Sequence, residues 1–238
     1  MPDVKINLDE LSYNQTLDGN LAIPANPKGI IIFAHGSGSG KDSPRNQYVA
    51  KMLNDYGFST LLVDLLTPQE QESDIKSQGL IGKYPGIVLN KFNIFLLSNR
   101  LTTITKWLIA HIPEVKDLPI GYFGSSTGAA AAIESSVSLS SEFHNRIYAI
   151  VSRGGRPDLA ATESLKLVKA STLLIIGSKD AKEVIDLNKK ALKQLKNSTV
   201  KELVTIPNAG HLFEEEGTIE QVADISVKWC NKFLMNSL

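Results

Sequence analysis

Residues 121 to 132 read GYFGSSTGAAAA, two adjacent serines between a strand-like run and an alanine-rich segment. A serine at a strand-to-helix turn can act as a nucleophile if the turn is tight enough to present its hydroxyl. That geometry demands small residues two before and two after it, because neighbouring chain crowds both positions. Centred on Ser126, the pattern Gly124-Ser125-Ser126-Thr127-Gly128 satisfies G-x-S-x-G; centred on Ser125, it places Phe123 where crowding is worst. Ser126 is therefore the candidate nucleophile.

A serine nucleophile needs a base and an acid that orients it. In folds with this kind of elbow they follow in the order Ser, Asp or Glu, His, at the ends of later strands. LLIIGSKD ends a strand-like run with Asp180, and LVTIPNAGHLF places His211 after the next, 31 positions on. Ser126, Asp180 and His211 form the expected triad. Asp64 and Asp158 also lie after strand-like runs and are alternative acids. His35 precedes the nucleophile and is in the wrong order for a base, and His111 and His144 read as structural residues at a helix end and in a loop.

AHGSGSGKDSPRN, residues 34 to 46, carries three glycines after a strand. It fails as a phosphate loop because five positions before Gly40 stands His35, and Asp42 occupies the place of the magnesium-binding hydroxyl. It fails as G-x-G-x-x-G because Lys41 stands where the third glycine belongs. It suits an oxyanion hole: a backbone N–H from Ser37, with Gly38 as rival, would join the N–H of Thr127 after the nucleophile.

The elements that must hold these residues follow from apolar periodicity. Strand-like runs at 28–35, 58–66, 118–124, 146–153, 171–177 and 200–207 alternate with helical patterns at 46–56, 97–111, 127–138, 181–195 and 218–233. Near-continuous apolar strands alternating with helices indicate an α/β fold, a mostly parallel sheet covered by helices on both faces. VKINL and GNLAIP suggest an antiparallel edge hairpin. No repeat or linker divides the chain, so residues 1–238 are read as a single domain. The exception to the rhythm is 67–95, polar at first and then irregular, read as a cap whose Tyr84 and Phe92 would line a substrate pocket.

Twenty-five basic residues balance twenty-five acidic ones, a balance that argues against nucleic acid or an anionic membrane as partner. No stretch has the length of a membrane span and the amino terminus lacks the apolar run of a secretion signal, so a cytoplasmic location is expected. Cys230 is the single cysteine and reads as a packed thiol on a helix. Arg153 and Arg156 flank Gly154-Gly155 at a strand end facing the presumed site, where either could bind a substrate carboxylate or serve in a structural ion pair; Arg45 is open in the same way.

The combination HGSGSG, SPRN, G-x-S-x-G, SRGGRPDLA, LLIIGSKD and AGHLFEE resembles the α/β-hydrolase superfamily, and within it the dienelactone-hydrolase-like branch, from about Lys28 to Phe233. The resemblance implies a sheet of about eight strands, no metal or organic cofactor, and hydrolysis of an ester-like bond of a small molecule. Dienelactone hydrolases are known for a cysteine nucleophile, whereas this chain offers Ser126, so a carboxylic ester is the expected substrate class. The competing reading is a non-catalytic ligand-binding protein on the same scaffold.

Overall fold

A computed structural model describes residues 2–8, 15–81, 83, 87–142 and 145–235. Eight strands, β1 (Asp3–Asn7), β2 (Thr16–Ala22), β3 (Ile30–Ala34), β4 (Ser59–Val63), β5 (Ile120–Ser125), β6 (Ile147–Arg153), β7 (Ser171–Gly177) and β8 (Lys201–Ile206), form one sheet in the order β1-β2-β4-β3-β5-β6-β7-β8. The pairs β1–β2 and β2–β4 are antiparallel and the remaining five are parallel. The mostly parallel eight-stranded sheet and its edge hairpin are those expected.

Among the described residues, seven helices accompany it: α1 (Pro44–Asp55), α2 (Pro68–Gln78), α3 (Ile94–His111), α4 (Thr127–Ser138), α5 (Thr162–Leu167), α6 (Lys182–Gln194) and α7 (Thr218–Leu234). Alternation along the strands divides the core between two faces. Ile31 and Phe33 of β3 point to the layer of α1 and α7, with Val49, Leu53, Val222 and Val227. Ile30, Ile32 and Ala34 point to α3 and α4, with Leu101, Ile104 and Ala130–Ala132. In register, Phe33 faces Phe123 of β5, their rings 4.8 Å apart. Both faces of β3, β4 and β5 are buried throughout, which explains their unbroken apolar runs.

The segment 67–95 departs from the irregular reading. It opens with the 11-residue α2. Thr67 caps it through a hydrogen bond from the Glu70 N–H, Glu70 returns a bond to the Thr67 N–H, and Pro68 fills the first turn. The helix was hidden because its sequence, PQEQESDIKSQ, has no apolar stripe. A 3-10 turn follows at Asn90–Phe92. Tyr84 lies outside the described residues. Among the described residues, no helix is long and apolar enough to cross a membrane.

Candidate active site

β5 ends at Ser125 and α4 begins at Thr127, so Ser126 is the hinge between them. Its backbone sits at φ 49°, ψ −121°, a conformation that costs a non-glycine residue on the order of 1–3 kcal/mol. The surrounding chain leaves it no alternative. A Cβ on Gly124 would lie 2.6 Å from the Ala129 Cα, and one on Gly128 would lie 2.0 Å from the Ala34 carbonyl oxygen. The Ser126 carbonyl accepts from the Ala129 N–H at 3.1 Å and the Arg156 N–H at 3.0 Å. Ser125, by contrast, is an ordinary strand residue in register with Arg153 of β6.

Asp180 stands three residues beyond β7 and is buried. Its Oδ1 accepts from the Ala181 N–H at 2.7 Å, and its Oδ2 lies 2.9 Å from Nδ1 of His211. An ionised carboxylate only accepts, so Nδ1 carries the proton and Nε2 is left with a free lone pair. The histidine loop is braced on both sides. The Ala209 carbonyl accepts from the Lys179 N–H at 2.8 Å, and the Gly210 N–H donates to the Glu215 carboxylate at 3.0 Å. Gly177 is required where β7 meets this loop, since a Cβ there would lie 2.2 Å from the Ala209 oxygen.

The alternative acids are engaged elsewhere. Asp158 holds Arg156 bidentately, at 2.9 and 2.8 Å. Asp64 accepts from the Lys41 N–H at 2.8 Å and so clamps the glycine loop. His35 is buried, with Nδ1–H donating to the Gly36 carbonyl and Nε2 accepting from the Leu65 N–H, both at 2.9 Å. Burial holds its pKa below the ordinary value. His111 lies 2.9 Å from the Trp107 carbonyl at the end of α3, and His144 lies outside the described residues.

Ser126 and His211 open onto one cavity of about 280 Å³, walled on the far side by Gly36, Ser37, Gly38 and Ser39. Ser37 and Gly38 are the central residues of a turn closed by the Ser39 N–H on the Gly36 carbonyl, at 3.1 Å. The turn abuts the elbow, for a Cβ on Gly36 would lie 2.8 Å from that of Ser126. Thr127 is the first residue of α4, a position whose N–H has no acceptor within the helix. The Ser37–Gly38 turn and the first turn of α4 therefore flank the serine.

No family model matches the chain. A dienelactone hydrolase from Anabaena variabilis of known structure is 44% identical, superposes with a TM-score of 0.84, and is matched over 98% of this chain and 97% of its own. The chain belongs to the dienelactone-hydrolase-like α/β-hydrolases. Est1E from Butyrivibrio proteoclasticus, at 16% identity and a TM-score of 0.71 over 97% of this chain and 98% of its own, shares the fold. So does an esterase from Pyrococcus furiosus, at 18% and 0.72 over 98% and 92%. Two Mycobacterium tuberculosis proteins, both provisionally named phosphoribosyl transferases, are 44% identical over 211 residues. The match covers 89% of this chain but 42% of those proteins, so it spans less than half their length.

The structure separates the two arginines that sequence treats alike. Arg153 lines the cavity beside Ser126 and His211, as does Arg45. Arg156 does not: it is paired with Asp158, whose hydrogen bonds raise its pKa. Phe92 is half exposed on its 3-10 turn, under the Lys91 ammonium at 5.6 Å, and lines neither this cavity nor the one next to it. That neighbour, about 470 Å³, lies across the Ser37–Ser39 turn and is bounded by Asp64, Leu66, Gln71, Asp74 and Ile75.

Three supporting residues escaped the sequence reading. Asn46 of α1 accepts from Arg153 at 3.3 Å, buried Asn188 of α6 donates to the Gly155 carbonyl at 2.9 Å, and Glu215 braces the histidine loop. Asn46 and Asn188 are lone polar residues whose partners are distant in sequence, and Glu215 folds back on a backbone N–H five residues before it. The residues SPRN and AGHLFEE contain two of them, so those motifs carried a signal that needed coordinates to decode.

Proposed function

We propose that this hydrolase cleaves a carboxylic ester, or a related acyl bond, of a small molecule through Ser126, His211 and Asp180. His211 Nε2 takes the Ser126 proton as Oγ bonds to the substrate carbonyl carbon. Asp180 holds the imidazole in the required tautomer and stabilises its charged form. The N–H groups of Ser37 and Thr127 receive the developing oxyanion. As the carbonyl re-forms, the bond to the alcohol oxygen breaks and His211 returns the proton to that oxygen. Water, deprotonated by the same histidine, then splits the acyl-serine, giving a carboxylic acid and free Ser126.

The observation that carries this reading is the strained Ser126 backbone in a cavity shared with a histidine already bonded to a buried carboxylate. Strain at a non-glycine residue persists where surrounding structure enforces it, and such residues cluster at reactive centres. Cytoplasmic location remains our expectation from the sequence. We also read 67–95 as a cap: α2 and the Asn90–Phe92 turn border the neighbouring cavity through Gln71, Ile75 and Lys91, where they would select the substrate portion extending past the Ser37–Ser39 turn. The mycobacterial name we attach to the part of those longer proteins outside the match.

A serine-directed phosphonate tests the reading. Mass spectrometry should find one adduct, on Ser126, and a panel of acyl esters should show turnover that the adduct abolishes. An unlabelled protein that still binds the esters would favour the non-catalytic alternative.

A further inference from the structure

Arg153 closes β6 and is only 5% exposed, yet it has no carboxylate partner among the described residues. Withdrawing an unpaired guanidinium from water is expensive, several kcal/mol even after relaxation. What compensates it is weak. One terminal nitrogen donates to the Leu212 carbonyl at 3.4 Å and the other to Asn46 Oδ1 at 3.3 Å, both long, and Nε has no partner. The face of Phe213 lies 5.8 Å away.

The nearest charge makes matters worse. Arg45 stands beside it on the same cavity wall, and burial together with that like charge pushes the Arg153 pKa down to about 10. Arg45 has a carboxylate, Glu214 at 2.8 Å, but that glutamate is mostly exposed and its pair is correspondingly weak. Two guanidinium groups thus share one solvated carboxylate, next to the candidate nucleophile. If Arg153 served only to brace the histidine loop, a neutral donor reaching Leu212 would do so without the cost of burying charge.

We propose that Arg153, assisted by Arg45, is an anion subsite inside the reaction cavity, and that the substrate is an ester carrying a compact oxyanion, carboxylate or phosphate, a short distance from its scissile carbonyl. Planar guanidinium matches both oxyanions bidentately. The anion takes no part in bond making or breaking; it fixes the carbonyl over Ser126. The proposal rests on the hydrolase reading of Ser126, but its binding half can be tested apart from turnover.

Calorimetric titration of the Ser126→Ala protein with succinate and, separately, inorganic phosphate measures the subsite directly. Saturable binding of either anion is expected, weakened about tenfold or more in a second protein that also carries Arg153→Met. The anion that binds more tightly identifies the group. In turnover, kcat/KM for 4-nitrophenyl hemisuccinate should exceed that for 4-nitrophenyl butyrate by about tenfold or more. Arg153→Met should collapse the ratio, chiefly through KM. If Arg153→Met fails to fold, Arg45→Gln, at a less buried position, supplies the same comparison with a smaller drop. Phosphonate labelling of Ser126 without anion binding and with a ratio near one would overturn the subsite and leave the hydrolase reading standing. Anion binding without labelling would do the reverse.

Discussion

Backbone geometry, more than hydroxyl chemistry, separates Ser126 from Ser125. The two side chains are identical and both residues border the cavity, but only Ser126 is turned to φ 49°, at the hinge between β5 and α4. Ser126→Ala should therefore lower ester turnover by about a millionfold, while Ser125→Ala keeps most of it; steady-state kinetics on the two folded variants decides. Gly36→Ala tests the same geometry from the opposite wall. Its methyl would meet the Ser126 Cβ at 2.8 Å, so phosphonate labelling should slow at least tenfold while the circular dichroism spectrum is unchanged. Asp180→Asn should cost about 10⁴ in kcat by favouring the wrong imidazole tautomer, and Asp158→Asn far less, because Asp158 serves Arg156. The reverse ranking would move the acid. The G-x-S-x-G spacing together with chain order pointed to Ser126, Asp180 and His211, since topology places such residues at one sheet edge. It could not separate Arg153 from Arg156, because a partner two residues away, Asp158, and a missing partner look alike in a string of letters.

At the scale of elements, two carboxylates of α2 hold the proposed cap. Asp74 of α2 is buried; its Oδ1 accepts from the Asn90 N–H at 2.7 Å and the Asn90 side chain at 2.9 Å, and its Oδ2 from the Lys91 N–H at 2.9 Å. A second tie joins Glu70 to Arg100 of α3 at 2.7 Å. Asp74→Ala leaves buried N–H donors unsatisfied, at about 1–3 kcal/mol. It should speed limited proteolysis between α2 and α3 and broaden the ester chain-length profile, with little change in labelling by a small phosphonate; an unaltered profile would reduce the cap to a surface excursion. Apolar runs gave the strands and long helices to within a few residues, because both faces of the central strands are covered. α2 was missed although T-P-Q-E spells its capping box, for a helix fastened by polar groups has no hydrophobic rhythm. Asp74 reads as one more surface acid until residues 90 and 91 fold back upon it.

For the whole molecule, the buried imidazole of His35 ties stability to acidity. Its pKa is lowered in the folded state, chiefly by burial, while in the unfolded chain it titrates near 6.5. Above about pH 6.5 both states hold it neutral and its contribution is complete. As pH falls from there toward the lowered folded value, only the unfolded chain takes up the proton, and stability is lost. Urea midpoints should drop between pH 7 and 5, and His35→Gln, though less stable at pH 8, should drop less steeply. Cys230, buried with its thiol pushed up to about 12, should resist an aromatic disulfide reagent until the protein unfolds; rapid modification of the native state would contradict the packing of α7 against the sheet. The crowding around the elbow bears on descent as well as on chemistry. Gly36, Gly124, Gly128 and Gly177 each face a neighbour closer than any side chain permits, so these positions are closed to inheritance of almost any other residue. Gln71, Ile75 and Lys91, around the adjoining hollow, are open to it. On the proposed function, a lineage carrying this chain can therefore drift from one ester to another by accumulating changes along α2 and the turn at 90–92, with the bond-breaking apparatus passed on intact.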